Sequence, residues 1–234
     1  MQTVILAGGL ATRLKPVTSK VPKSMVRIHG KPFLQYQIEL LRSNQIDDIV
    51  LCIGHLGEQI EHYFGDGRRF GVRIRYSTDG EKLLGTAGAI KNASHLLNDE
   101  FFVVYGDSYL LLDYLAIGAQ FLRWGNPGLM VVYKNHDRLE PSNVVVRDGL
   151  VYTYDKKRKT ADMVYIDEGL LAFKRNALDL IPNGKFSSLE SVLTKLVRRK
   201  ELAAYETLQR FYTIGTAEEL KDFQTLTAQG EITP

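Results

Sequence analysis

Short apolar runs alternate with helix-spaced apolar positions along the first half of the chain. Val4-Ile5-Leu6, Ile49-Val50-Leu51-Cys52-Ile53 and Phe101-Phe102-Val103-Val104-Tyr105 are continuous apolar stretches of strand length. They predict buried strands over 3–6, 49–53 and 101–105, with a fourth over 72–76. Helical spacing falls between them, near 33–43, 57–64 and 86–96. In the first of these, Leu34, Ile38 and Leu41 share one face while Gln35, Glu39 and Arg42 point away. Strands separated by helices of this length imply right-handed βαβ crossovers and a mostly parallel, doubly wound α/β sheet. In such sheets ligands bind at the carboxyl ends of the strands.

After a helix near 113–123 the texture changes. Residues 129–133, 143–147, 149–155 and 163–173 are successive strand candidates, with Asp148-Gly149 as a hairpin turn. The chain then returns to helices near 187–199 and 216–227. The second half therefore reads as a β-rich insertion, of the kind that forms a lip over a pocket, closed by two helices. No internal repeat or linker interrupts it, so residues 1–234 read as one domain with halves at 1–112 and 113–234.

Composition narrows the class. The chain has 234 residues, of which 44% are hydrophobic and 24% charged, which is globular rather than disordered. A formal charge of +3 is too slight to argue for nucleic acid as a partner. No apolar stretch is long enough for a membrane span, and the first strand begins almost at once, leaving no secretory signal. The single cysteine, Cys52, lies inside a strand and reads as a packing thiol. These features together predict a cytoplasmic protein, with self-association left open. The five histidines show no metal-ligand spacing. The cationic run Lys156-Lys157-Arg158-Lys159 reads mainly as a solvated loop.

Three stretches carry candidate chemistry. Residues 6–23, LAGGLATRLKPVTSKVPK, place adjacent glycines after the first strand and cations behind them. Glycines let the backbone approach a ligand closely, and Arg13 and Lys23 are placed to neutralise a polyphosphate. Neither GxxxxGK[ST] nor GxGxxG fits this run. In the second stretch, Gly106-Asp107 follows the central strand, where a carboxylate either coordinates Mg²⁺ or caps a local turn. The third, Gly85-Thr86-Ala87-Gly88, opens a helix whose free amides suit a flat or anionic group, Thr86 alternatively being a simple N-cap.

The first stretch resembles the sugar-1-phosphate nucleotidyltransferases, whose pattern is GGxGTRLxPxTxxxPK. Gly8, Gly9, Thr12, Arg13, Leu14, Pro16, Thr18, Pro22 and Lys23 fit it, and Ala11 replaces the third glycine. Leu84 through Ala89 reproduce the family's LGTAGA segment. The resemblance implies the Rossmann-like nucleotide-diphospho-sugar transferase fold, with the β-rich insertion holding the sugar. It implies that an NTP and a sugar 1-phosphate give an NDP-sugar and pyrophosphate. In those terms Arg13, Lys23 and Asp107 are catalytic, with Asp107 holding Mg²⁺. Leu6, Ala7, Gly8, Gly9, Thr12, Gly85 and Thr86 bind the nucleotide. Gly88, Asp155, Lys156 and Asp167 bind the sugar phosphate.

Three further departures are visible. Asp155 stands for the family's glutamate, Asp167-Glu168-Gly169 for Asn-Ala-Gly, and Thr213 for an acid that completes the metal site. The texture around 81–90 is most similar to the branch making GDP-mannose or GDP-heptose. Relatives using UTP, dTTP or CTP share the motifs, including the phosphocholine cytidylyltransferases. A non-catalytic nucleotide-sugar sensor on the same fold is the reading from a different class.

Overall fold

The computed structural model describes residues 1–9, 14, 18, 20–80 and 82–232. The first half gives β1 (Gln2–Leu6), β2 (Arg27–Ile28), β3 (Lys31–Pro32), α1 (Phe33–Ser43), β4 (Asp48–Ile53), α2 (Gly57–Phe64), β5 (Arg73–Thr78), α3 (Gly85–Asn92) and β6 (Glu100–Tyr105). The second gives β7 (Ser108–Leu110), α4 (Tyr114–Trp124), β8 (Gly128–Lys134), β9 (Val144–Arg147), β10 (Leu150–Tyr154), β11 (Tyr165–Lys174), α5 (Leu189–Arg198), β12 (Leu202–Thr207), β13 (Phe211–Thr213) and α6 (Ala217–Ala228).

Nine strands form one sheet in the order β5-β4-β1-β6-β11-β8-β12-β10-β9. The β5-β4-β1-β6 half is parallel throughout. Beyond it β11 runs antiparallel to both neighbours, β6 and β8, while β12 is parallel to β8. The β9–β10 hairpin turns on Asp148 and Gly149, both at positive φ, as a two-residue turn that follows strand twist requires.

Alternation along the strands divides the core. Val4, Val50, Phe101 and Val103 face α3 and α5 through Ala87, Ile90, Leu193 and Leu196. Ile5, Leu51, Phe102 and Val104 face α1, α2 and α4 through Leu34, Ile38, Ile60, Phe64, Ile117 and Phe121. This is the three-layer arrangement that strands buried on both faces demand. A third cluster gathers outside α1, where the Phe223 ring of α6 packs edge-on against Phe33, Tyr36 and Tyr109.

Besides the short strands β2, β3, β7 and β13, two larger features depart from the sequence expectation. β12 is an additional central strand, inserted between β8 and β10. Helix α1 is buried on two sides because α6 covers Tyr36 and Leu40, so its polar face is narrower than helical spacing predicts.

Candidate active site

The strand ends come together on glycine. β1, β4 and β6 are followed by Gly8, Gly54 and Gly106 at one edge of the sheet. A Cβ on Gly54 would stand 2.9 Å from the Gly8 carbonyl oxygen, and one on Gly106 would stand 2.8 Å from the Leu6 oxygen. Backbone bonds hold this edge: Ala7 N donates to Cys52 O at 2.8 Å and Gly106 N to Leu6 O at 3.0 Å. Only residues without a side chain permit this approach, and the result is a floor of backbone beneath a cavity.

That cavity, of about 380 Å³, is lined by Leu6, Ala7, Gly8 and Gly9 on one side and by Gly85, Thr86 and Ala89 on the other. Gly85 has φ +74°, and a Cβ there would meet the Ser187 oxygen at 2.6 Å, so both the turn and the packing require glycine. Cys52 lines the cavity, but burial pushes its thiol up to about 12, and it remains a packing group. Asp79 reaches the rim. Its Oδ2 accepts from Leu84 N at 3.1 Å, and burial raises its carboxyl above the ordinary range.

Lys23 sits on a short turn of 3-10 helix, Lys23–Met25, and its Nζ lies 2.5 Å from Asp107 Oδ2. The Asp107 backbone is held from two directions. Ile214 N donates to Asp107 O at 3.0 Å, and the buried Gln37 amide donates to Tyr105 O and Ser108 O at 2.9 and 2.6 Å. Gln37 gave no signal in the sequence beyond its place on α1, because its role depends on carbonyls about 70 residues away. Thr213 pairs with Ser108 in the β7–β13 ribbon, which sets it beside Asp107.

A second cavity, about 580 Å³, opens on the far side of Asp107 and Tyr105, which line both spaces. Asp155, Lys156, Asp167, Glu168 and Thr213 border it. Lys156 Nζ lies 3.1 Å from Asp167 Oδ2. The Asp167 carboxylate is 1% exposed and also accepts from the Tyr154 hydroxyl at 3.1 Å and from Gly169 N at 3.0 Å. Asp155 turns its Oδ1 back to Lys157 N and Arg158 N, at 2.8 and 2.9 Å, and these bonds hold its carboxyl below the usual range. Glu168 is 2% exposed, and neither carboxylate oxygen has a hydrogen-bond partner among the described residues. Burial, with Asp167 beside it, pushes this carboxyl up to about 8.

Lys23 and Asp107 are thus together at the seam of the two cavities, with Leu6 through Gly9 and Gly85 in the first and Asp155, Lys156 and Asp167 in the second. Thr12 and Arg13, with Ala11, lie outside the described residues. The Thr86 hydroxyl accepts from Leu189 N at 2.8 Å and so ties α3 to α5, rather than capping its own helix. Gly88 departs from the expectation of a sugar contact. It lies outside both linings, packed where a Cβ would come 2.9 Å from Leu84 Cβ and 3.1 Å from Lys185 O. Asp79 borders the first cavity and Glu168 the second, although motif reading gave neither a role; a carboxylate next to each motif was the available signal.

Among the described residues no three His, Cys, Asp or Glu side chains converge as a metal cage. Of the described residues that line both cavities, Asp107 is the one that offers a hard carboxylate oxygen, with the Thr213 strand beside it. One carboxylate completed by substrate oxygens and water is the donor set that Mg²⁺ accepts and that softer metals do not favour.

Residues 2–230 match the family model described as nucleotidyl transferase. The chain is 34% identical over 202 residues to the UTP–glucose-1-phosphate uridylyltransferase of a Synechocystis species, an alignment taking in 79% of this chain and 52% of that protein. It is 34% identical over 231 residues to the D-glycero-alpha-D-manno-heptose 1-phosphate guanylyltransferase of Aneurinibacillus thermoaerophilus, covering 96% and 97% of the two chains. Among solved structures, HddC from Yersinia pseudotuberculosis in complex with GMP-PN superposes with a TM-score of 0.79 at 28% identity, covering 97% of this chain and 99% of the other. The chain therefore spans about half of the first of these proteins and nearly all of the other two.

Proposed function

The chain belongs to the nucleotidyl transferase family, and we propose from that premise that it condenses GTP with a mannose- or heptose-type sugar 1-phosphate, releasing pyrophosphate. The observation that carries this reading is the seam: two cavities share Asp107 and Tyr105, with Lys23 at the Asp107 carboxylate. A nucleotide in the first and a sugar phosphate in the second would meet there.

The sugar phosphate is already an anion, so no protein nucleophile is needed. One of its oxygens attacks the nucleotide α-phosphorus in line, and the bond from that phosphorus to the β-phosphate bridging oxygen breaks as pyrophosphate leaves. What the protein supplies is position and positive charge. Lys23 releases Asp107 and takes the charge developing around the α-phosphate. Arg13 has the β- and γ-phosphates as its partners. Lys156 holds the sugar phosphate, its ammonium already oriented by Asp167. Asp107 would hold Mg²⁺, which would supply charge neutralisation to the reacting phosphates. Residues 1–112 then serve mainly the nucleotide and residues 113–234 mainly the sugar phosphate.

The choice of GTP is supported by Asp79. Guanine presents adjacent ring N–H and amino donors, and a rim carboxylate accepts both; uracil and thymine offer a single ring N–H. The near full-length similarity to a heptose 1-phosphate guanylyltransferase points the same way.

The test is pyrophosphate release with Mg²⁺, crossing GTP, UTP, dTTP, CTP and ATP with mannose, heptose and glucose 1-phosphates. GTP with a manno-configured sugar phosphate is expected to be the productive pair. Lys23→Ala should lower kcat by about 10²–10³-fold, the scale of losing a preorganised charge at the reacting phosphate. Turnover with UTP and glucose 1-phosphate instead would move the assignment to the uridylyl branch. Nucleotide binding without pyrophosphate from any pair would sink the catalytic reading.

A further inference from the structure

Two large apolar side chains stand open to water where a ligand would cover them. Leu83 is 40% exposed and Phe186 is 72% exposed, and both line the first cavity. Phe186 lies outside every motif read from the sequence. Tyr152, another exposed ring, is covered by the Arg147 guanidinium, 3.9 Å from its centre. Phe186 has no ring or cation contact of this kind among the described residues.

The backbone that carries this ring is tied down directly after it. Ser187 N donates to Leu84 O at 2.8 Å, and Ser187 O accepts from Ala87 N at 2.9 Å and Gly88 N at 3.2 Å. The ring leans over the start of α3, where a Cβ on Gly85 would stand 3.0 Å from Phe186 Cε2 and 3.1 Å from Cζ. A glycine at 85 is therefore what gives the ring its place. Leu83 overhangs the glycine floor, its Cδ2 3.4 Å from where a Cβ on Gly54 would stand. A flat apolar surface is thus held at the cavity on an anchored segment, without an internal partner. Every nucleobase has a π face, and an aromatic ring is the surface on which such a face stacks.

We propose that Phe186 is the stacking surface for the nucleotide base in the first cavity, with Leu83 as the apolar ledge beside it. This rests on the function proposed above, which puts the nucleotide there. The two rim groups then divide the base between them. Asp79 meets its polar edge and decides which base is accepted, whereas Phe186 meets its face and supplies affinity for any base. Because that contact is present before and during the reaction alike, it strengthens binding and leaves the chemical step unchanged.

The test has a kinetic arm and a binding arm. Phe186→Ala should raise KM for the nucleotide by about 5- to 150-fold, the scale of losing one base–aromatic stack. The loss should fall on that KM rather than on kcat, with KM for the sugar phosphate unmoved. It should also affect GTP and UTP alike. Phe186→Tyr should restore the wild-type value and Phe186→Leu should fall between, because leucine covers the base without a flat face. In the binding arm, Phe186→Trp is made together with Trp124→Phe, so that the introduced indole is the only one. GTP without sugar phosphate should quench its fluorescence, and sugar phosphate alone should not. An unchanged nucleotide KM in Phe186→Ala, or an indole that GTP leaves unquenched, would overturn the role of Phe186 while wild-type turnover kept the function intact. Quenching by GTP in a protein that turns over no substrate pair would sustain the base contact and sink the catalytic reading.

Discussion

Holding Glu168 away from water has a consequence for stability that can be measured without any substrate. Its ordinary pKa of 4.5 rises to about 8 in the folded chain. Between these values the native state keeps a proton that the unfolded state has released. Stability therefore falls as pH rises through that window, by at most about 1.4 kcal/mol per unit for this one group. The contribution is fully present below pH 4.5 and lost once pH passes about 8. Glu168→Gln should flatten this decline, so that urea unfolding at pH 5, 6, 7 and 8 gives curves that converge at low pH and favour the variant at pH 8. Curves offset by a constant amount would show that Glu168 does not change its proton between the two states. The sequence exposed Lys23 and Asp107 because each ends a motif whose chemistry is local. It could not show that the Asp167 carboxylate is engaged within the protein, because the groups that engage it arrive from Tyr154 and Lys156.

Elements meet at this site through side chains that serve more than one of them. Thr86 begins on α3, yet its hydroxyl accepts from the first backbone amide of α5 at 2.8 Å. The Ser187 oxygen in turn accepts from Ala87 N at 2.9 Å and Gly88 N at 3.2 Å. The wall of the first cavity is therefore two helix starts stitched together. Thr86→Ala should cost about 1 kcal/mol by leaving the Leu189 amide unpaired, while Thr86→Ser should remain close to wild type. Thermal unfolding of the two variants decides it, and equal losses in both would mean that the hydroxyl is not the anchor. Strong apolar runs made the principal strands of the first half readable, and α2 at Gly57–Phe64 matches its expected span of 57–64. β12 escaped because Leu202-Ala203-Ala204 has little alternation, and its strand identity comes from parallel pairing with β8 some 70 residues earlier. The ribbon strands β7 and β13 are three residues each and carry no periodicity to detect.

At the scale of the molecule, the halves 1–112 and 113–234 are not separable structures. β11 pairs with β6 over five residues from Leu170 to Lys174, joining the second half directly to the first. Both faces of the sheet also mix the halves: Val4 and Phe101 pack in one core with Leu171 and Leu196, and Ile5 and Leu34 in the other with Val131 and Leu170. Neither half can bury its own strands. Cutting after residue 112 would leave β6 as an open edge and strip the cover from Phe101 and Phe102, which are 0% and 1% exposed in the whole chain. A shared core of this kind predicts one cooperative transition. Trp124, the single tryptophan, lies at the end of α4 in the second half, whereas far-UV circular dichroism averages over the whole sheet. The two signals should trace the same urea curve, with the same midpoint and slope. A fragment of residues 1–112 should show no cooperative unfolding of its own. Separate midpoints, or a fragment that melts cooperatively, would mean that the nucleotide half folds independently, and the seam at Asp107 would then be an interface between two units.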